Sequence, residues 1–184
     1  QAIDIEAIKK KVMRGLSEPA GIITFPGVNG YTKELDKRLP YDVDAAKKLL
    51  ADAGYPKGFD VELRCPNDRY VNDEAICTAV VGMLGKIGVN VNLFAQTKSK
   101  HFKELKEDKG DFYMLGWGVP TLDSHYVFHY LYESGASWNK VNFSNSEVDA
   151  AIRVMEGEVD LDKRNAAIAN AWKIVKDDIS YLPL

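Results

Sequence analysis

The chain has 184 residues, of which 46% are hydrophobic and 28% are charged, and its formal net charge is -3. These totals predict a globular chain with a sizeable core, and the balanced charge argues against a nucleic-acid partner, which needs a basic surface. No apolar run approaches the ~20 residues that span a bilayer, and the charged amphipathic N-terminus does not resemble a signal peptide.

The first third of the sequence predicts two helices separated by an irregular segment. Apolar residues at helical spacing predict a helix over residues 4–16. Asp42 or Asp44 is expected to cap a second helix that ends at Gly54, where a residue without Cβ can adopt a left-handed turn. Between them, residues 18–41 are rich in proline and glycine and predict an irregular excursion within one lobe rather than a linker between two cores.

The middle of the sequence alternates predicted strands with predicted helices. Strands are expected at residues 59–65, 89–93 and 111–117, with helices at 76–87 and 98–109 between them. Strand, helix, strand, helix, strand with short connections predicts an α/β fold with a helix-flanked, mostly parallel sheet.

The last third predicts three helices and a final strand. Helices are expected over residues 123–132, 146–155 and 161–177. The tail ISYLPL is expected to return as a strand, with Pro183 near its edge or exit.

Two cysteines, Cys65 and Cys77, lie twelve residues apart without a CxxC pair or zinc-like spacing. Cys65 falls on the buried face of the first strand, and Cys77 on the helix that is expected to pack over it. The sequence leaves two alternatives open: a disulfide, if the compartment is oxidising, or two small buried thiols.

Two histidines, His125 and His129, lie four residues apart and share one face of a predicted helix. With Asp123 or Glu133 they have the spacing of metal ligands, so a metal-dependent hydrolase that uses Asp123, His125 and His129 is the competing hypothesis. The segment lacks the HExxH glutamate, and Asp123 is more simply explained as a helix cap. GxSxG, P-loop and GxGxxG motifs are absent from the sequence, so we expect no metal, no cofactor and no enzyme. An interaction domain without a small ligand is a further alternative.

Polar and aromatic residues follow the predicted parallel strands, where open α/β sheets bind their ligands. The loops are PNDRY, AQTKS and GWGVPTLD, and they offer an indole, approachable glycine backbone and charged groups for a small polar molecule. We therefore predict a ligand-binding site at Asp68, Arg69, Tyr70, Trp117, Gly118 and Asp123. The alternative is that Trp117 covers the core and that Asp68 pairs with Arg69.

Several long segments also occur in a characteristic order: DVDAAKKLLADAGYPKGFDVEL, NDEAICTAVVGMLGKIGVNVNL, DFYMLGWG, NFSNSEVDAAI and DLDKRNAAIANAWKIVKDDISYLPL. In order and spacing they resemble the extracellular solute-binding proteins (family 5) that serve peptide and nickel ABC importers. The resemblance implies that residues 1–184 are a single lobe, the inter-hinge domain of a larger two-lobed protein, with the second lobe and the signal peptide outside this sequence.

The resemblance also implies a function. Family members capture a peptide or another small polar solute between two lobes that close by hinge motion, and the closed form delivers it to the membrane permease of an ABC importer. The implied location is periplasmic or extracellular, with membrane association through the transporter.

Two positions bear on the ligand that the resemblance implies. Peptide-binding members commonly carry an aspartate three residues after the tryptophan of the Gly-Trp pair, where this sequence has Pro120. Some oligopeptide-binding members carry an arginine three residues before it, where this sequence has Met114. The ligand class therefore stays open among dipeptide, oligopeptide, sugar, opine-like compound and metal chelate.

Overall fold

The computed structural model describes all 184 residues, Gln1–Leu184, which form two compact units. The first unit consists of Gln1–Pro19 and Leu39–Gly116, and the second of Ala20–Arg38 and Trp117–Leu184. Most of the predicted excursion at residues 18–41 therefore belongs to the second unit. The description of the chain as one lobe stays a prediction.

The first unit contains all the strands of the chain. Its elements in order are α1 (Ile5–Ala7), which continues as a π-helical turn π1 (Ile8–Val12), α2 (Val43–Asp52), β1 (Phe59–Pro66), α3 (Asp73–Gly85), β2 (Val89–Gln96), α4 (Lys98–Lys106) and β3 (Phe112–Tyr113). The strands form one parallel sheet in the order β2-β1-β3. The predicted α/β fold with a helix-flanked parallel sheet is confirmed.

The third strand is much shorter than predicted. The pairing of β1 with β2 covers all eight residues of β1, whereas β3 pairs with it only at Leu63 and Arg64. The chain leaves the ladder after the Met114 N–H donates to the Arg64 carbonyl at 2.9 Å. Beyond that point Gly116 lies against the Tyr70 ring instead of beside β1, so residues 114–117 are not strand as predicted.

A disulfide joins the sheet to α3. Cys65 on β1 and Cys77 on α3 are bonded, their Cα atoms are 6.6 Å apart, and both residues are buried. They pack with Leu63, and the Met114 sulfur lies 3.5 Å from the Cys77 sulfur. The sequence left open a disulfide or two buried thiols, and the structure shows the disulfide.

The second unit is helical. It contains α5 (His125–Val127), which continues as a π-helical turn π2 (Phe128–Tyr132), α6 (Ser146–Gly157) and α7 (Leu161–Asp178). Asn145 and Asp160 accept backbone N–H groups at the starts of α6 and α7, as helix caps do. The core is centred on Trp172, which is 1% exposed and lies 4.6 Å from Phe128 between ring centroids.

The C-terminal tail is not a strand, so that prediction was wrong. Ile179 has φ of +60° and ends α7 in the left-handed conformation. The second unit has no strand for the tail to pair with, and the Pro183 carbonyl accepts a hydrogen bond from the Arg38 side chain instead. None of the helices combines the length and the apolar character needed to cross a bilayer.

Candidate ligand-binding site

The loop after β1 is held by a buried carboxylate. Asp73, which is 4% exposed, accepts the backbone N–H groups of Arg69 and Tyr70, each at 2.9 Å, and that of Glu74 at 2.9 Å. Burial raises the pKa of Asp73, but these backbone hydrogen bonds outweigh it and hold the pKa below its ordinary value. An ionised side chain therefore fixes the backbone on which two predicted ligand residues stand.

Asp68 and Arg69 do not pair with each other. Asp68 accepts the backbone N–H of Lys98, the first residue of α4, at 2.5 Å, and so satisfies a free donor at the start of that helix. The Arg69 guanidinium carbon lies 5.0 Å from the Tyr70 ring centroid, within cation–π distance. Both side chains are exposed.

Tyr70 fills the space beside Gly116. Its hydroxyl lies 3.4 Å from the Gly116 carbonyl, and a Cβ on Gly116 would stand 2.6 Å from a ring carbon of Tyr70. Only a residue without a side chain leaves the ring where it is. The close approach of the Tyr70 ring therefore explains why position 116 is a glycine.

Replacing Gly116 by alanine is expected to displace the Tyr70 ring and to lower the free energy of unfolding by about 1 kcal/mol. This is the low end of the cost of inserting a methyl group, because the half-buried ring can turn away. Urea unfolding measures the loss. Gly118→Ala is the matched control, since a Cβ there meets nothing within 4 Å. In a Tyr70→Ala background the cost should disappear; an unchanged cost there contradicts this explanation.

In the second unit, Trp117 is the centre of an aromatic cluster. Its ring centroid lies 6.0 Å from the rings of Tyr126, Tyr130 and Trp138. The indole is half-buried, and its Nε1–H is buried without a hydrogen-bond acceptor. Next to it, Gly118 is exposed with open space where a Cβ would lie. The cluster combines a rigid aromatic face, an unused donor and approachable backbone.

Asp123 is fully engaged within the second unit. Its two oxygens accept hydrogen bonds from the Arg164 guanidinium at 2.7 and 2.9 Å, from the His125 backbone N–H at 2.9 Å and from the Asn29 amide at 3.0 Å. Burial raises the pKa of Asp123, but the hydrogen bonds from Arg164, His125 and Asn29 outweigh it and lower the pKa. This carboxylate orders the loop before α5 and has no oxygen directed to another partner.

The structure does not bring Asp123 together with His125 and His129 as the competing hydrolase hypothesis requires. The carboxylates that face the two histidines belong to Glu156, 3.4 Å from His125, and to Glu133, 2.8 Å from His129, while Asp123 pairs with Arg164. Asp123 is therefore not available as a carboxylate metal ligand beside these histidines.

Sequence reasoning missed Arg164, Trp138 and Glu156. Arg164 lies on α7 and Glu156 on α6, whereas Trp138 lies in an irregular segment, and all three are distant in the sequence from the residues they contact. The only available signal was the amphipathic pattern of α6 and α7, which predicts that these helices pack but not which polar residues meet.

Comparison with known proteins places the chain among binding proteins. Residues 1–139 match the model of bacterial extracellular solute-binding proteins, family 5 Middle. Heme-binding protein A of Haemophilus influenzae is 28% identical over 191 residues, which cover 100% of this chain and 34% of that protein. The dipeptide-binding protein of Escherichia coli is 28% identical over 146 residues, covering 78% of this chain and 27% of that protein.

A solved structure gives the same result for the fold. The dipeptide-binding protein from Pseudoalteromonas sp. SM9913 in complex with Met-Leu has a TM-score of 0.88 and 27% identity, covering 99% of this chain and 37% of that one. The chain thus spans about a third of the length of these relatives.

Proposed function

Because this chain belongs to the bacterial extracellular solute-binding proteins of family 5, we propose that it takes part in capturing a peptide or another small polar solute for an ABC importer. The observation that carries the proposal is the match of residues 1–139 to the family model. The parallel sheet supports it, because its carboxyl edge carries polar loops of the kind that bind ligands in open α/β folds.

We propose further that residues 1–184 form one lobe of a two-lobed protein. The chain spans only about a third of its relatives, which leaves room for a second lobe in the same protein. Closure of two lobes around a solute removes far more ligand surface from water than one wall does. The closed form is the state proposed to dock on the permease.

The six predicted ligand residues are proposed to act in two ways. In the first unit, Arg69 and Tyr70 are proposed to offer a charge and an aromatic ring; in the second unit, Trp117 and Gly118 are proposed to offer a stacking face and backbone. Asp68 and Asp123 are proposed to position these loops, because Asp68 Oδ1 accepts the Lys98 backbone N–H and both oxygens of Asp123 accept hydrogen bonds from Arg164, His125 and Asn29. The relatives are named for binding heme, dipeptides and glutathione, so the proposal names a small solute without choosing one chemical class.

The proposed location is periplasmic or extracellular, with association to the membrane through the permease. The Cys65–Cys77 disulfide supports it, because disulfides persist in oxidising compartments. We propose binding without a catalytic step, in line with a family of solute-binding proteins.

The test is native mass spectrometry of the full-length protein purified from its host, followed by fluorescence titration with dipeptides, glutathione and hemin. We expect one co-purified solute, and a loss of its affinity of about 30-fold in Trp117→Ala, the ~2 kcal/mol typical of a central aromatic contact. Tyr55→Ala is the control, since this exposed ring contacts only its neighbour Phe59 among aromatic residues. An absence of any bound or binding solute contradicts the proposal and favours a ligand-free interaction domain.

A further inference from the structure

Two imidazoles in the second unit face the same carboxylate oxygen. The rings of His125 on α5 and His129 on π2 are stacked, with centroids 5.6 Å apart and planes 22° from parallel. From α6, Glu156 Oε1 lies 3.4 Å from His125 Nε2 and 3.9 Å from His129 Nδ1. One ligand atom from each of these three residues lies within 4.8 Å of the other two.

These distances are close to those of a metal coordination shell. Imidazole nitrogen and carboxylate oxygen bind zinc at ~2.0–2.2 Å, so two ligand atoms of one tetrahedral ion are about 3.4 Å apart. The His125–Glu156 pair already has this separation, and the His129–Glu156 pair exceeds it by about half an ångström. The third separation, between the two histidine nitrogens, is within 4.8 Å, and the three side chains are 28%, 42% and 46% exposed, so they can rotate toward one ion without disturbing the core.

The charges also favour a cation. Glu133, four residues after His129, places a second carboxylate oxygen 2.8 Å from His129 Nδ1. Two carboxylates beside two imidazoles leave excess negative charge whenever the imidazoles are neutral, which is the form in which they bind metals. Imidazole with carboxylate suits first-row transition metals, whereas Mg²⁺ and Ca²⁺ prefer oxygen ligands alone.

We propose that His125, His129 and Glu156 bind one divalent transition-metal ion, with Glu133 as an additional carboxylate at its side. The ion links π2 and α5 to α6 and so stabilises the second unit, since metal binding to the folded state adds to folding free energy. None of its ligands is among the six predicted solute-binding residues, but the site adjoins them, because the His129 ring lies 4.9 Å from that of Tyr130 and the His125 backbone N–H donates to Asp123.

The test is a titration of the chain with Zn²⁺ that is monitored by calorimetry. The melting temperature is measured with and without the metal. We expect one Zn²⁺ per chain, a higher melting temperature with Zn²⁺ than with Mg²⁺, and an affinity at least ~10-fold lower in His125→Ala, His129→Ala and Glu156→Gln. Glu147→Gln removes the same charge from the exposed first turn of α6 and should bind as the parent does. The cysteines do not compete, because they are disulfide-bonded.

Co²⁺ gives a readout that a simple ion pair does not provide. Its visible absorption should show nitrogen coordination in the parent chain and lose it in His125→Ala and His129→Ala, while melting without metal shows that these variants are folded. Equal Zn²⁺ affinity in all variants, or no change of melting temperature with Zn²⁺, would overturn the site. In that case the cluster is a set of surface ion pairs between the histidines and Glu133 or Glu156.

Discussion

Reduction of the Cys65–Cys77 disulfide is expected to lower the free energy of unfolding by about 3 kcal/mol, the loop-closure estimate for a bridge across twelve residues. The bridge restricts the unfolded chain, and in the folded state it ties α3 to the centre strand of the sheet. Urea unfolding of the chain with and without a thiol reductant measures the loss. Both sulfurs are buried, so the reductant must act during unfolding rather than on the native surface.

The control is the double variant Cys65→Ala/Cys77→Ala, which leaves no free thiol. Its stability should be close to that of the reduced chain and should not respond to the reductant. Parent protein that unfolds at the same urea concentration in both conditions contradicts a stabilising bridge. A shift that also occurs in the double variant assigns the effect to the reductant itself.

Local patterns were sufficient for most of the elements. The alternation of residues 59–65, the cap at Asp42 and the helical spacing of apolar residues in α6 and α7 act over a few neighbours, so the sequence alone predicted this strand and these helices to within a few residues. Two failures, the third strand and the tail, involve distant partners. The third strand is only Phe112–Tyr113, and the chain beyond it runs to Gly116 against the Tyr70 ring, while the tail has no strand to join in the second unit.

The polar residues of the site show the same limit. Strand topology predicted that the loops with Asp68 and Asp123 carry function, but not what their oxygens bind. Lys98 is 30 residues from Asp68, and Arg164 is 41 residues from Asp123. The helical spacing of His125 and His129 is that of metal ligands, but it does not predict Glu156, which lies 31 residues from His125 in the sequence.

Asp123→Ala is expected to lower the free energy of unfolding by about 3 kcal/mol, near the lower end for breaking a buried ion pair. The lower end applies because the Asp123 and Arg164 side chains are 23% and 17% exposed. The variant leaves the Arg164 guanidinium without its carboxylate. It also removes the acceptor for the His125 backbone and the Asn29 amide. Asp123→Asn keeps the side-chain volume and should lose less unfolding free energy than Asp123→Ala.

The matched control is Asp52→Asn, because Asp52 pairs with Lys48 at the surface, where the side chains are 59% and 76% exposed. Exposed pairs of this kind contribute at most about 1 kcal/mol. Urea unfolding of the three variants beside the parent chain ranks them. A loss in Asp123→Ala no larger than that in Asp52→Asn contradicts a structural role for Asp123.

Acid unfolding tests the same carboxylate through its charge. The folded-state pKa of Asp123 is lowered, so its contribution is complete above the unfolded value of ~3.9 and is lost as the pH falls through the folded pKa. The parent chain should therefore lose stability below about pH 4, and Asp123→Asn should lose less over the same range. Asp73, whose pKa is also lowered, contributes with the same sign, so the slope decreases in Asp123→Asn without vanishing. An identical acid profile in the parent and in Asp123→Asn means that the pairing with Arg164 does not depend on the charge of Asp123. The unfolding free energy lost in Asp123→Ala then comes from the hydrogen bonds to His125 and Asn29.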